Sequence, residues 1–173
     1  MITFYYEIPK LIDRAQVKSL LFVKEIENKD TGLPALEENA ISDDDEQLIR
    51  KTFLKDVANE IYGMLSPYSR TLADLDTPLK GFEFEATYTP DEGDPVLDCI
   101  IFRVIMPTYF DDEMVSPLEN AIKNTIINYV VMEFLYHNNL DGSTFMKLYE
   151  KNKGEILKYI NRRTKLKRSY KWY

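Results

Sequence analysis

The sequence predicts an α+β protein, mainly α, built as a helix bundle with an antiparallel β-hairpin. Three observations carry this expectation. Residues 42–65 repeat apolar side chains at helical spacing behind a serine. Residues 81–89 and 96–106 alternate on either side of the turn-forming "PDEGDP". Two long, apolar-faced segments then follow, joined only by "NNLDG". With 173 residues and 45% hydrophobic content, the chain can bury a core as one domain over 1–173. It contains no internal repeat or low-complexity linker.

Taken in order, "ITFYYEI" (2–8) reads as a short strand. "KLIDRAQVKSLLFVKEI" (10–26) follows Pro9, a residue suited to a first helical turn, and Leu11, Ile12, Ala15 and Leu20 suggest a helical face. Residues 27–41, with Gly32 and Pro34, read as a loop. Ser42 then precedes Asp43, Asp44 and Asp45, so a capped helix is expected there, with Asp45 at the acid position of a capping box. Ile49, Phe53, Val57, Ile61 and Leu65 form its stripe, and it should end before Pro67.

In "GFEFEATYT" (81–89), Phe82, Phe84, Ala86 and Tyr88 alternate with polar residues, predicting a strand with one wet face. "VLDCIIFRVIM" (96–106) is apolar on both faces and should be the more deeply covered partner. A lone hairpin is marginal, so it must pack on helices or join another strand. Ser116-Pro-Leu-Glu119 reads as a capping box opening the next helix. That helix is apolar nearly all round from Ile126 to Leu135, interrupted by Asn128 and Glu133, as expected of the central buried element. Ser143 starts a last helix with Phe145, Leu148, Tyr149, Ile156, Leu157 and Ile160 on its stripe; Gly154 weakens it. The short connection predicts that these two helices lie antiparallel.

Charge divides the chain unequally. Residues 161–173, "NRRTKLKRSYKWY", carry six cations and no acid within a chain of net charge −7, so residues 1–160 carry −13. An acidic body argues against a nucleic-acid binder that uses its whole surface. Only the tail has that character, with Arg162, Arg163, Lys165, Lys167 and Arg168 beside Tyr170, Trp172 and Tyr173. These eight residues are the predicted partner-binding set. Stacking on bases is one use for them. Docking on an acidic neighbouring subunit is the favoured one.

Signals for catalysis are weak. His137 is the only histidine and lies at the end of the apolar helix, which favours a structural or capping role. Cys99 is the only cysteine, so no internal disulfide or thiolate cluster forms. It alternates within a strand as a small core residue does, and a reducing compartment fits. Asp43–Asp45 and the run Asp111, Asp112, Glu113 look like metal ligands, yet consecutive acids in one helical turn point in different directions. "PDEGDP" lacks the oxygen spacing of a calcium loop. Nothing matches a Walker loop or a dinucleotide fingerprint. No enzyme activity, metal or cofactor is expected. No apolar run reaches the roughly 18–20 residues that span a bilayer, and "MITFYYEIPK" does not read as a signal peptide.

The segments "SDDDEQLIRKTFLKDVANEIYGMLSPYSR", "IIFRVIMP", "DDEMVSPLENAIKNTIINYVVMEFL" and "NRRTKLKRSYKWY" together resemble small virion proteins of tailed bacteriophages, of the head–tail connector (adaptor, neck) kind. The resemblance covers about residues 42–173. It implies a mainly helical subunit in a homo-oligomeric ring beneath the portal, with portal and tail proteins as partners. DNA would pass through the ring without sequence-specific binding. It implies a virion location after assembly in the host cytoplasm, and no catalytic residues. The long hairpin departs from the simplest all-helical connectors and leaves a tail-completion or stopper role open. Two other readings stand beside it: a nucleic-acid-binding accessory protein that uses the tail, and a metal-dependent enzyme that uses Asp111, Asp112 and Glu113.

Overall fold

The computed structural model describes residues 1–27, 40–69, 79–88, 97–106 and 108–162. Strand β1 (Ile2–Glu7) runs directly into helix α1 (Ile8–Glu27). A continuous helical run over 43–68, α2, comes next. The hairpin strands β2 (Phe82–Tyr88) and β3 (Leu97–Val104) follow, then α3 (Val115–His137) and α4 (Ser143–Ile160). The expected mainly-α, α+β architecture is what forms. Most of the predicted 27–41 loop and the "PDEGDP" turn lie outside the described residues.

The hairpin is completed by β1. It pairs antiparallel with the free side of β3, giving a three-stranded sheet in the order β1-β3-β2. This explains why β3 is apolar on both faces. As the central strand it has neighbours on both sides, and Cys99, Ile100, Ile101, Phe102 and Val104 are all buried. On the core face Phe4 lies opposite Phe102 and Tyr6 opposite Ile100.

The simple alternation expected of β2 does not hold. Glu83 pairs with Ile101, but Ala86 pairs with Cys99, so β2 carries one extra residue between them. An extra residue shifts the pleat by one and sends later side chains to the other face. Phe82, opposite Phe102, and Ala86, opposite Cys99, therefore face opposite ways. Glu85 takes the positive φ of the bulge, 54°. Arg50 of α2 holds this corner: its guanidinium pairs with Asp98 of β3 and lies 3.9 Å from Glu85. Before the bulge, Tyr62, Phe82 and Phe102 stack ring on ring, with centroids 5.4 and 5.5 Å apart. That stack fastens α2 to the sheet.

Helix α2 is not uniform. After a 3₁₀ turn (Asp43–Asp45) and a short α segment, residues Ile49–Leu54 are π-helical before the α-helix resumes over Lys55–Leu65. The stripe Ile49, Phe53, Val57, Ile61, Leu65 repeats every four residues. On an α-helix of 3.6 residues per turn each such step drifts by about 40°. The wider π turn rotates the stripe back, and all five side chains are buried. At the start of α2, Asp45 Oδ2 accepts from the Ser42 N–H at 2.9 Å and from its hydroxyl at 2.8 Å. Buried Ser19 ties this entry segment to α1: its hydroxyl donates to the Gln16 carbonyl at 2.9 Å and accepts from the Ile41 N–H at 3.1 Å.

Helix α3 is the centre of the bundle, in contact with α1, α2 and α4. Its buried side chains surround it, from Leu118 through Ile122, Ile126, Val130 and Val131 to Phe134 and Leu135. Its start differs from the expected Ser116 box. A 3₁₀ turn (Asp112–Met114) precedes it, and Asp111 is the cap, accepting from the Glu113 N–H at 3.3 Å. Ser116 then lies inside the helix, where its carbonyl accepts from the Asn120 side chain at 3.1 Å. An acid placed five residues earlier takes the capping role and starts the chain turning sooner.

The connection to α4 closes the end of α3 tightly. Asn139 adopts φ 58°, the Leu140 N–H donates to the Leu135 carbonyl at 2.8 Å, and the Asn139 N–H donates to Tyr136 at 3.0 Å. This is a Schellman closure with asparagine in the left-handed position. Gly142 follows where a Cβ would come 3.0 Å from the Met132 carbonyl, so the absence of a side chain lets α4 start close against α3. On α4, Phe145, Tyr149, Ile156 and Ile160 are buried, but Leu148 and Leu157 of the expected stripe are exposed. No helix among the described residues is long and apolar enough to cross a membrane.

Candidate interface at the root of the basic tail

The strip of cations and aromatics begins where α4 ends, and its root is fixed to the body. Asn161 caps α4, with its side-chain amide donating to the Leu157 carbonyl at 2.8 Å. Its side-chain carbonyl accepts from the Tyr68 hydroxyl at 2.8 Å, which links the root to the end of α2. The Arg162 N–H donates to the Tyr159 carbonyl at 3.1 Å, and the Arg162 carbonyl accepts from the Asp111 N–H at 3.3 Å. The Arg162 guanidinium lies 3.5 Å from the Asp111 carboxylate. Three segments distant in sequence thus converge on two residues.

Of the eight predicted partner-binding residues, Arg162 is described, and it forms an ion pair within its own chain. Arg163, Lys165, Lys167, Arg168, Tyr170, Trp172 and Tyr173 lie outside the described residues. The acidic run before α3 is also accounted for. Asp111 caps the 3₁₀ turn and pairs with Arg162, while Asp112 and Glu113 are exposed. In the first acidic run, Asp43 accepts from the Gln16 amide at 3.0 Å and Asp45 binds Ser42. Among the described residues no group of three or more His, Cys, Asp or Glu side chains is placed to hold a metal ion.

The two residues best suited to nucleophilic chemistry have structural surroundings. Cys99 is fully buried at the edge where β3 meets β1 and β2. Burial, with Glu7 and Asp98 nearby, pushes its thiol above the ordinary value and so disfavours the thiolate. His137 is the last residue of α3 and meets the Phe53 ring edge-on at 6.3 Å.

A polar cluster between α2 and α4 was not legible in the sequence. The Tyr149 hydroxyl donates to Glu60, and the Lys153 ammonium lies 2.7 Å from the same carboxylate. Burial pushes the Glu60 carboxyl up, but these two hydrogen bonds outweigh it and leave it below its ordinary value. Tyr129 tilts against Tyr149 at 5.3 Å; burial and the nearby acids push its phenol up to about 12. The cluster bonds α4 to α2 side by side. Its only sequence signal is the i, i+4 spacing of Tyr149 and Lys153, which does not reveal that Glu60 lies opposite.

Comparison of the chain with protein-family models, with curated protein sequences and with solved structures finds no match.

Proposed function

We propose that this chain is a structural virion protein of the head–tail connector kind, assembling as a homo-oligomeric ring between portal and tail. The observation that carries the reading is the pinned root of the basic strip. Asn161 and Arg162 are bonded to Tyr68 and Asp111, so the first residues of a segment rich in cations and aromatics are held against the body at a fixed place. Such a segment suits docking on a neighbour, with Trp172 as an aromatic anchor. The acidic balance of residues 1–160, −13, gives the strip an electrostatic target on an identical copy or on the portal. An acidic lumen would also repel DNA and let it slide through the ring. The mainly helical body accords with the subunit type that the sequence resemblance implies, while the hairpin departs from the simplest all-helical connectors.

Deleting residues 163–173 tests this. Among the described residues Ile160 is the last buried one, and the shortened chain should keep its fold and melting temperature but lose assembly. Trp172→Ala should impair assembly more than Lys171→Ala, because an exposed charge at an interface rim is largely screened. Normal assembly together with lost, strongly salt-dependent DNA binding would instead favour the accessory nucleic-acid reading.

A further inference from the structure

The two flanks of α1 carry opposite charge. On one flank, Lys10 and Arg14 stand one turn apart and, with Lys123 of α3, line a hollow of about 140 Å³ whose wall also carries Glu7 and Glu119, three cations against two acids. Leu11 and Tyr6 give it an apolar wall, and the Tyr6 hydroxyl is bonded to the Glu119 carbonyl at 3.1 Å. Lys10 is engaged by Glu7 at 2.6 Å. Among the described residues, no ion pair joins Arg14 or Lys123 to an acid of the same chain. Two cations from different helices therefore converge on one opening in a protein of net charge −7.

On the other flank, Ile12 and Gln16 border a smaller hollow with Asp13, Asp43 and Glu46, and no cation lines it. The Gln16 amide orients Asp43 at 3.0 Å. Glu46 lies 3.3 Å from Arg50, whose charge is taken mainly by Asp98. Helical geometry puts Lys10 and Arg14 about half a turn away from Ile12 and Gln16, while Asp13 lies between them and also borders a hollow with Arg14.

We propose that copies of this chain join head to tail through these flanks, the basic hollow at Arg14 and Lys123 of one copy receiving the acidic flank at Asp13, Asp43 and Glu46 of the next. Self-pairing would set the excess positive charge of the first hollow, or the acids of the second, against its like, whereas pairing unlike flanks offsets both. A contact between two different patches is heterologous, and it generates a ring when its rotation closes. The inference rests on the ring reading above and deepens it by naming the surfaces that meet.

The test is a charge swap in the full chain, read by sedimentation velocity at low and moderate salt. One variant carries Arg14→Glu with Lys123→Glu, and the other carries Asp13→Lys with Glu46→Lys. Each alone should lose self-association at least tenfold, since each then has two flanks of one sign. An equimolar mixture should recover it, because every contact in an alternating assembly again pairs opposite charges. Thermal unfolding of each variant checks the fold. If a reversal unfolds the protein, Arg14→Gln with Lys123→Gln should still weaken association in the folded state. Wild-type protein that forms rings, with both variants assembling equally well, would overturn this contact and leave the ring reading standing. Folded, monomeric variants whose mixture stays monomeric would also overturn it. Wild-type protein that remains monomeric throughout would overturn both.

Discussion

Helices α3 and α4 lie antiparallel against each other, yet they are built on different principles. From Leu118 to Leu135, α3 presents buried side chains on every side, including the polar Thr125 and Asn128. Those two are satisfied internally: Thr125 donates to the Ala121 carbonyl at 2.8 Å, and the Asn128 carbonyl accepts from the Lys18 ammonium. In contrast, α4 buries one stripe and leaves Met146, Leu148 and Leu157 exposed among charges. The central helix is therefore sensitive to lost volume. The outer helix is sensitive to single polar bonds and backbone propensity. Substitutions on the two should differ in size and in kind.

The largest effect belongs to α3. Phe134 is 3% exposed, and Phe134→Ala should cost about 3–5 kcal/mol in chemical denaturation. A cost below about 1 kcal/mol would mean that α3 is not the packing centre. On α4, Tyr149→Phe removes a hydroxyl that donates to a carboxylate at a half-buried site. The loss should be about 1–2 kcal/mol, and the Glu60 carboxyl should titrate higher by NMR because one of its two stabilising donors is gone. An unchanged Glu60 titration would show that Lys153 alone sets its charge.

A smaller effect of the opposite sign is expected at Gly154. A Cβ there would meet nothing within 4 Å, so Gly154→Ala should stabilise by about 0.5–1 kcal/mol through helix propensity. A destabilised variant would mean that this face of α4 is covered by a neighbouring copy. The smallest effect concerns Glu133 on α3. Burial, with Asp56 close by, raises its carboxyl above the ordinary value. The folded state then holds that proton more tightly than the unfolded state, so this group's contribution to stability falls as pH rises through the raised value. Glu133→Gln should raise the melting temperature slightly at pH 7, with the gain vanishing below the ordinary carboxylate pKa of about 4.3. A gain that persists at pH 3 would rule out ionisation as its cause.

Both helices were legible in the sequence because each depends on local pattern. The unbroken apolar run identifies α3 as central, and Phe145, Tyr149, Ile156 and Ile160 mark the buried side of α4. The features that escaped the sequence are those set by distant partners. Nothing in "ITFYYEI" says that it will pair with β3 across nearly a hundred residues. The bulge at Glu85 answers to Arg50 and Asp98, which lie on other elements. The π segment was implicit in the strict four-residue spacing of Ile49 to Leu65, although that pattern passes easily for an ordinary helical stripe. The candidate interface divides in the same way. Its cations and aromatics are plain from composition, but the anchoring of Asn161 and Arg162 by Tyr68 and Asp111 is purely tertiary. Lys10 and Arg14 are visibly one turn apart, whereas their convergence with Lys123 follows only from how α1 lies against α3.

Ring assembly is the central functional claim, and the mass of the native particle tests it most directly. Light scattering on the purified 173-residue chain, paired with electron microscopy of the same sample, should give a closed oligomer of many 20.3 kDa subunits surrounding an open channel. A monodisperse species at 20.3 kDa, unchanged on raising protein concentration or adding portal protein, would contradict the account.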